Sequence, residues 1–222
     1  MKRTSLALLF IGFTLTLPVL CAGPVDVILA RLDRFNQTMK TFRSDIQQRK
    51  FIKILGEFDD TEEGEICMKK TPQGVLLKKV LGKPGHTFLT VRGNDMVLFY
   101  PKKNQAMRRK LTEKETGFAN LGVSMSTAEM KKNFEIRHVR DEALDGRPCN
   151  LIQLIPKTPG MKNYFASLYL WLAANDGTPL QQRIDEPGGD YTLIRFLNIR
   201  LNLDVRDSAF DLKLPRNVEY IS

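Results

Sequence analysis

The groups in this 222-residue chain that could do chemistry are few and poorly arranged for it. His86 and His138 stand in no triad or metal-ligand context, and no HExxH pattern occurs. Gly122-Val-Ser124-Met-Ser126 begins like a nucleophile elbow. Its closing glycine is missing and no strand precedes it. Asp59/Asp60, Glu62/Glu63 and Asp185/Glu186 are paired carboxylates, the kind that serve acid–base work when matched across a cleft. Here they lie in turns, where solvation accounts for them. The residues predict a protein that is not an enzyme and carries neither cofactor nor metal.

Cysteine use and the N-terminus set the compartment. Residues 1–22 open with Lys2 and Arg3, run apolar from Leu6 to Leu20 and end in small residues, which is the order of an export signal. That apolar run is shorter than the ~20 residues of a membrane-spanning helix. Cleavage after Ala22 is expected, leaving one domain over 23–222. Cys21 offers a lipid-anchored alternative, against which Leu20 argues by its size. Cys67 and Cys149 then remain. An oxidising compartment permits a disulfide between them, and the sequence leaves open whether they meet.

Composition fits one folded, mainly β domain: 42% of residues are hydrophobic and no polar tract is long. Net charge is +9, or +7 once Lys2 and Arg3 leave with the signal. A basic balance suits anionic partners such as phospholipid heads or acidic proteins. Lys78/Lys79, Lys102/Lys103 and Arg108/Arg109/Lys110 could serve that purpose, or protect strand edges. Nucleic acid is not expected for an exported chain without a binding motif.

The elements that must position any site are mostly strands. Residues 25–40 carry Val25, Ile28, Leu29, Leu32, Phe35 and Met39 at helical spacing. Strands follow over 42–56, 65–70, 75–81, 86–91, 96–100 and 105–110. Later ones cover 134–140, 150–155, 167–173, 180–185, 191–205 and a closing 210–214, separated by turns such as Gly93-Asn94, Asp145-Gly146 and Asp176-Gly177. Eleven or twelve such strands in up-and-down order must coil into a barrel or half-barrel. Residues 111–133 interrupt them with helix pieces. Thr112 with Glu115 and Ser126 with Glu129 have capping-box spacing, and Phe118, Leu121 and Met125 give this lid an apolar underside. Alternation puts Leu168, Leu170 and Leu172 on one face, Ile194 and Phe196 on one face, and Phe210, Leu212 and Leu214 on one face. With Leu98, these residues predict an apolar concave surface filled by the chain itself or by a bound hydrocarbon.

Several stretches together resemble the periplasmic outer-membrane lipoprotein carriers, the LolA-like lipoprotein-sorting proteins. They are Phe42-Arg-Ser-Asp-Ile-Gln47, Gly93-Asn-Asp-Met-Val-Leu-Phe-Tyr-Pro101, Leu154-Ile-Pro-Lys157, Leu168-Tyr-Leu-Trp-Leu172, Asn175-Asp-Gly177 and Phe210-Asp-Leu-Lys-Leu-Pro215. The resemblance implies an incomplete antiparallel barrel covered by an N-terminal helix and a helical lid. Its cavity would hold the acyl chains of lipoproteins or lipids. It also implies a monomeric periplasmic carrier that works between an inner-membrane lipoprotein transporter and an outer-membrane acceptor. The alternative is a cell-envelope sensor or scaffold of the same fold that binds a protein partner. Where many carriers have an arginine-proline step that latches the lid, this chain has Lys69-Lys-Thr-Pro72, which makes Lys70 the latch candidate. A lysine lacks the planar fork of arginine.

Overall fold

The computed structural model describes residues 24–82, 87–112, 115 and 125–221. The export signal of 1–22 lies outside the described residues, as do His86, Phe118, Leu121 and Ser124.

Helix α1 (Pro24–Thr38) buries Ile28, Leu29, Leu32 and Phe35 along one stripe. Strands β1 (Thr41–Ile52), β2 (Glu57–Phe58), β3 (Glu62–Thr71), β4 (Gly74–Leu81), β5 (Thr87–Arg92), β6 (Asp95–Tyr100) and β7 (Gln105–Lys110) follow. After helix α2 (Thr127–Asn133) come β8 (Phe134–Leu144) and β9 (Arg147–Pro156). A single turn, α3 (Pro159–Lys162), leads to β10 (Ser167–Ala173), β11 (Pro179–Asp185), β12 (Tyr191–Leu201) and β13 (Glu219–Ile221). The strands form one sheet in the order β13-β7-β6-β5-β4-β3-β1-β12-β11-β10-β9-β8, with β2 beside β1. Its neighbours are antiparallel except β13 on β7. The two ends of that order do not pair, so the barrel is open. This is the half-barrel with helices that the resemblance implied.

Alternation fixes which face holds the core. Phe42 and Ile46 of β1, Met68 of β3, Leu77 of β4 and Leu170 and Leu172 of β10 all bury against α1 and α2 on the concave side. Phe42 is wholly buried and meets Phe196 of β12 edge to face, with ring centroids 5.5 Å apart. The opposite face carries a smaller cluster around Trp171, Leu151 and Leu180.

Two expectations from the sequence fail, and one question that it left open is answered. The first strand ends at Ile52, because residues 53–56 form a tight turn closed by Gly56, whose φ of 70° is the left-handed conformation glycine adopts freely. No strand forms over 210–214. The chain leaves β12 at Leu201 and runs as a strap over the convex face. Side chains satisfy the backbone of that strap: Lys69 donates to Val205 O (2.7 Å), Lys78 to Ala209 O (3.0 Å) and Arg92 to Asp207 O (3.3 Å). Only Glu219–Ile221 returns to the sheet. The open question concerned Cys67 and Cys149, which are both free thiols. They sit on β3 and β9, separated in the sheet by β1, β12, β11 and β10. Five strand spacings come to about 24 Å along the sheet, far beyond the ~7 Å between Cα atoms that a disulfide spans.

Because Phe42 links both halves of the sheet to α1, Phe42→Ala is expected to cost about 3–5 kcal/mol. A urea titration would show this as a lower midpoint with an unchanged slope.

Candidate functional site

The concave face divides into a filled part and an open wing. Helix α1 packs beside β8 and α2. Under it Leu168, Leu170, Leu172, Ile194, Phe196 and Met125 are all buried. These side chains stand on the face that the alternation assigned them, and they are already in contact with protein. On the wing the apolar lining continues with less cover. Leu89 of β5, Met96 and Leu98 of β6 and Met107 of β7 are only half-buried. Leu89 and Met96 pack against the margin of the main core.

One cross-strand row runs through this wing. Ile66 of β3 pairs with Lys79 of β4, Lys79 with Leu89, Leu89 with Leu98, and Leu98 with Met107. Directly paired residues share a face, so Lys79 projects into the concave side between aliphatic neighbours. Its stem is half-buried. Its amine is desolvated enough to bring its pKa down to about 8, with the charge of Glu62 pulling weakly the other way. The Lys79 amine donates to Gln48 Oε1 at 2.6 Å. That bond runs diagonally from β4 over β3 to β1. By register, Gly64 lies midway beneath it. Gly64 could hold no side chain: a Cβ there would stand 2.0 Å from the Val80 carbonyl oxygen. Sequence reasoning grouped Lys79 with Lys78 as surface charge. The signal that separates them is parity, since Lys79 shares the face of Leu77 and Leu81.

Lys70 has a different environment. Its amine donates to Asn36 O at 2.5 Å, one of the carbonyls that the last turn of α1 leaves without a helical partner. Asn36 in turn donates through Nδ2 to Met125 O at 3.0 Å. Lys70 therefore holds the helix, and the helix holds the start of the segment that enters α2. Burial lowers the Lys70 pKa. Oδ1 of Asn36 is buried without a hydrogen-bond partner.

Both capping boxes form. Ser126 accepts from Glu129 N while Glu129 reaches back to Ser126 N, and the Thr112 amide and hydroxyl both donate to the Glu115 carboxylate. Arg109 adds an ion pair to Glu115 at 2.6 Å. With the Thr112 amide, it holds the Glu115 pKa down to about 2.

Phe210 and Leu212 do not line the concave face. Phe210 is buried on the convex side, where with Cys67, Lys78, Val80 and Val205 it lines a cleft of about 210 Å³. Leu212 is half-buried further along the strap. The physical reason is the loss of the strand expected there: without a ladder, the alternation over 210–214 has no sheet face to refer to. His138 sits on the edge strand β8, 2.8 Å from Asp141, to which Asn150 also donates.

No family model matches the sequence, and no curated protein matches it either. Solved structures do. An uncharacterized conserved protein from Thermus thermophilus is 13% identical over 87% of this chain and 96% of its own, with a TM-score of 0.53. MucB is 12% identical over 84% of this chain and 62% of its own, with a TM-score of 0.51. A LolA superfamily protein from Nitrosomonas europaea is 14% identical over 83% of this chain and 96% of its own, at a TM-score of 0.42. At such identities the likeness concerns the fold alone.

The buried amine generates a prediction. A lysine whose folded-state pKa is lowered binds its proton less tightly folded than unfolded, so the protonated form costs stability. That cost is full below about pH 8 and vanishes above the ordinary lysine value of 10.5. Lys79→Met is therefore expected to melt higher than the parent at pH 7. The gap should close as pH rises from 8 to 10.5, read by differential scanning fluorimetry on both proteins.

Proposed function

We propose that this protein is a periplasmic carrier that shelters the acyl chains of lipoproteins or lipids against its concave face on the way to the outer membrane. The observation that supports it best is the half-buried aliphatic wing of Leu89, Met96, Leu98 and Met107, continuous with a buried core. A self-sufficient core would close over such side chains, since each methylene removed from water contributes about 0.8 kcal/mol. An alkyl chain laid along them supplies that cover.

Several other features fit this role. The leader read in the sequence directs the chain across the inner membrane. The sheet is open at both ends of its strand order, so the wing can widen without breaking a ladder. At described points the segment after β7 is fastened by Leu111 and Met125, both buried in the main core, and by polar contacts from Thr112 and Arg109 to Glu115 and from Asn36 to Met125. An inner-membrane lipoprotein transporter would load such a carrier and an outer-membrane acceptor would unload it.

A triacylated lipopeptide titrated into the purified mature protein is expected to bind saturably. Leu98→Asp is expected to weaken that binding at least tenfold while leaving the melting temperature within a few degrees of the parent. Fluorescence of a labelled lipopeptide reads the binding, and a thermal melt reads the stability. An absence of saturable binding, or equal affinity in the variant, would rule the reading out.

A further inference from the structure

Lys79 is an anomaly in an otherwise aliphatic row. Its neighbours in that row are Ile66 on one side and Leu89, Leu98 and Met107 on the other. A desolvated ammonium ordinarily stands beside a carboxylate. Lys79 has one hydrogen bond, to the neutral Gln48 amide, and forms no ion pair with any described carboxylate. Glu62, on the same face of β3, acts on it only through space. Lys50, further along β1, is already engaged by Glu186 and Asp190.

We propose that Lys79 is a head-group site: it receives the anionic head, carboxylate or phosphate, of an amphiphile whose alkyl chain lies across Leu89, Leu98 and Met107. This deepens the carrier reading above and rests on it. The geometry suits the ligand. Three strand spacings separate Lys79 from Met107, about 14 Å, so head and tail positions follow one straight line over the sheet. An ammonium has three donors. One is held by Gln48, which fixes the direction of the amine and leaves two for anion oxygens. At neutral pH the amine is protonated, since its pKa is about 8.

The test uses three ligands with one tail: dodecanoate, dodecyl phosphate and dodecanol, titrated calorimetrically into the mature protein at pH 7. At least one anionic ligand is expected to bind ten or more times tighter than the alcohol. The tighter of the two tells whether a fatty acid or a phosphate ester is the better head. Lys79→Met is expected to erase the preference while binding dodecanol at least as well as the parent, and Lys79→Arg to keep it. Equal affinity of the parent for all three ligands overturns the head-group site and leaves the carrier reading standing. No binding of any of them overturns the carrier reading itself. The comparison within the parent protein does not depend on how either variant folds.

Discussion

One continuous sheet with two unlike faces governs this molecule. In a strand, neighbouring side chains point to opposite sides, and twelve strands in sequence must coil. Coiling gives one face a hollow, and the hollow is where alternation has put the aliphatic residues. A sheet of this width needs more apolar cover than α1 and α2 provide. Helix α1 settles beside β8, and among the described residues Leu89, Met96, Leu98 and Met107 of β5, β6 and β7 are only half-buried. The unevenness of the concave face is thus a consequence of having one long helix at one end of a wide sheet. A structural sandwich would instead bury the whole face under its second layer.

The convex face is handled by other means. Two of its neighbourhoods would otherwise be vulnerable: the half-buried thiol of Cys67 with Val80, and the outer edge of β7. The strap deals with both. Phe210 is buried beside Cys67 and Val80, with which it lines a cleft, and β13 pairs with β7 at the edge. Between these points three cations from consecutive strands β3, β4 and β5 hold the chain: Lys69, Lys78 and Arg92, with Asp207 and Asp211 as counter-charges. Exposed ion pairs are worth little one at a time. Here they position a buried phenylalanine, whose apolar area gives the strap its stability.

What could be read in the sequence was whatever depends on short-range periodicity. The limits of β7 and β10 were legible to the residue, since Pro101 to Asn104 turn the chain into β7, and in β10 Leu168, Leu170 and Leu172 alternate with Tyr169 and Trp171 before the Asn175-Asp-Gly177 turn. The opposed faces of Leu170 and Trp171 were legible for the same reason. Both capping boxes were legible because the motif spans only four residues. What could not be read depends on partners far along the chain. Phe210-Asp-Leu-Lys-Leu alternates as well as any strand, yet whether a ladder awaits it is decided by Lys69, Lys78 and Arg92, more than 100 residues away. The free state of Cys67 and Cys149 was equally hidden, because it depends on strand order and that order places β12, β11 and β10 between β1 and β9. Lys79 was hidden by its neighbour: two lysines in a row look like a solvated patch until the register shows that only one faces out.

Two lysines that face inward show how to tell a structural charge from a functional one. Lys70 and Lys79 are both desolvated, and both have lowered pKa values. For Lys70 the structure supplies a reason. Its partner is a carbonyl at the C-terminal end of α1, where the helix macrodipole places partial negative charge and four oxygens lack intrahelical donors. Removing that lysine would leave the helix end unsatisfied. Lys79 has no such return. The oxygen of Gln48 would be met as well by water at the margin of the wing, and a methionine in its place would match Leu77 and Leu81 on the same strand face. Local conflicts between a residue and its surroundings persist where function requires them. An unneutralised ammonium at the head of an aliphatic row is such a conflict, and the partner that resolves it in charge and in hydrophobicity at once is an anion with a tail.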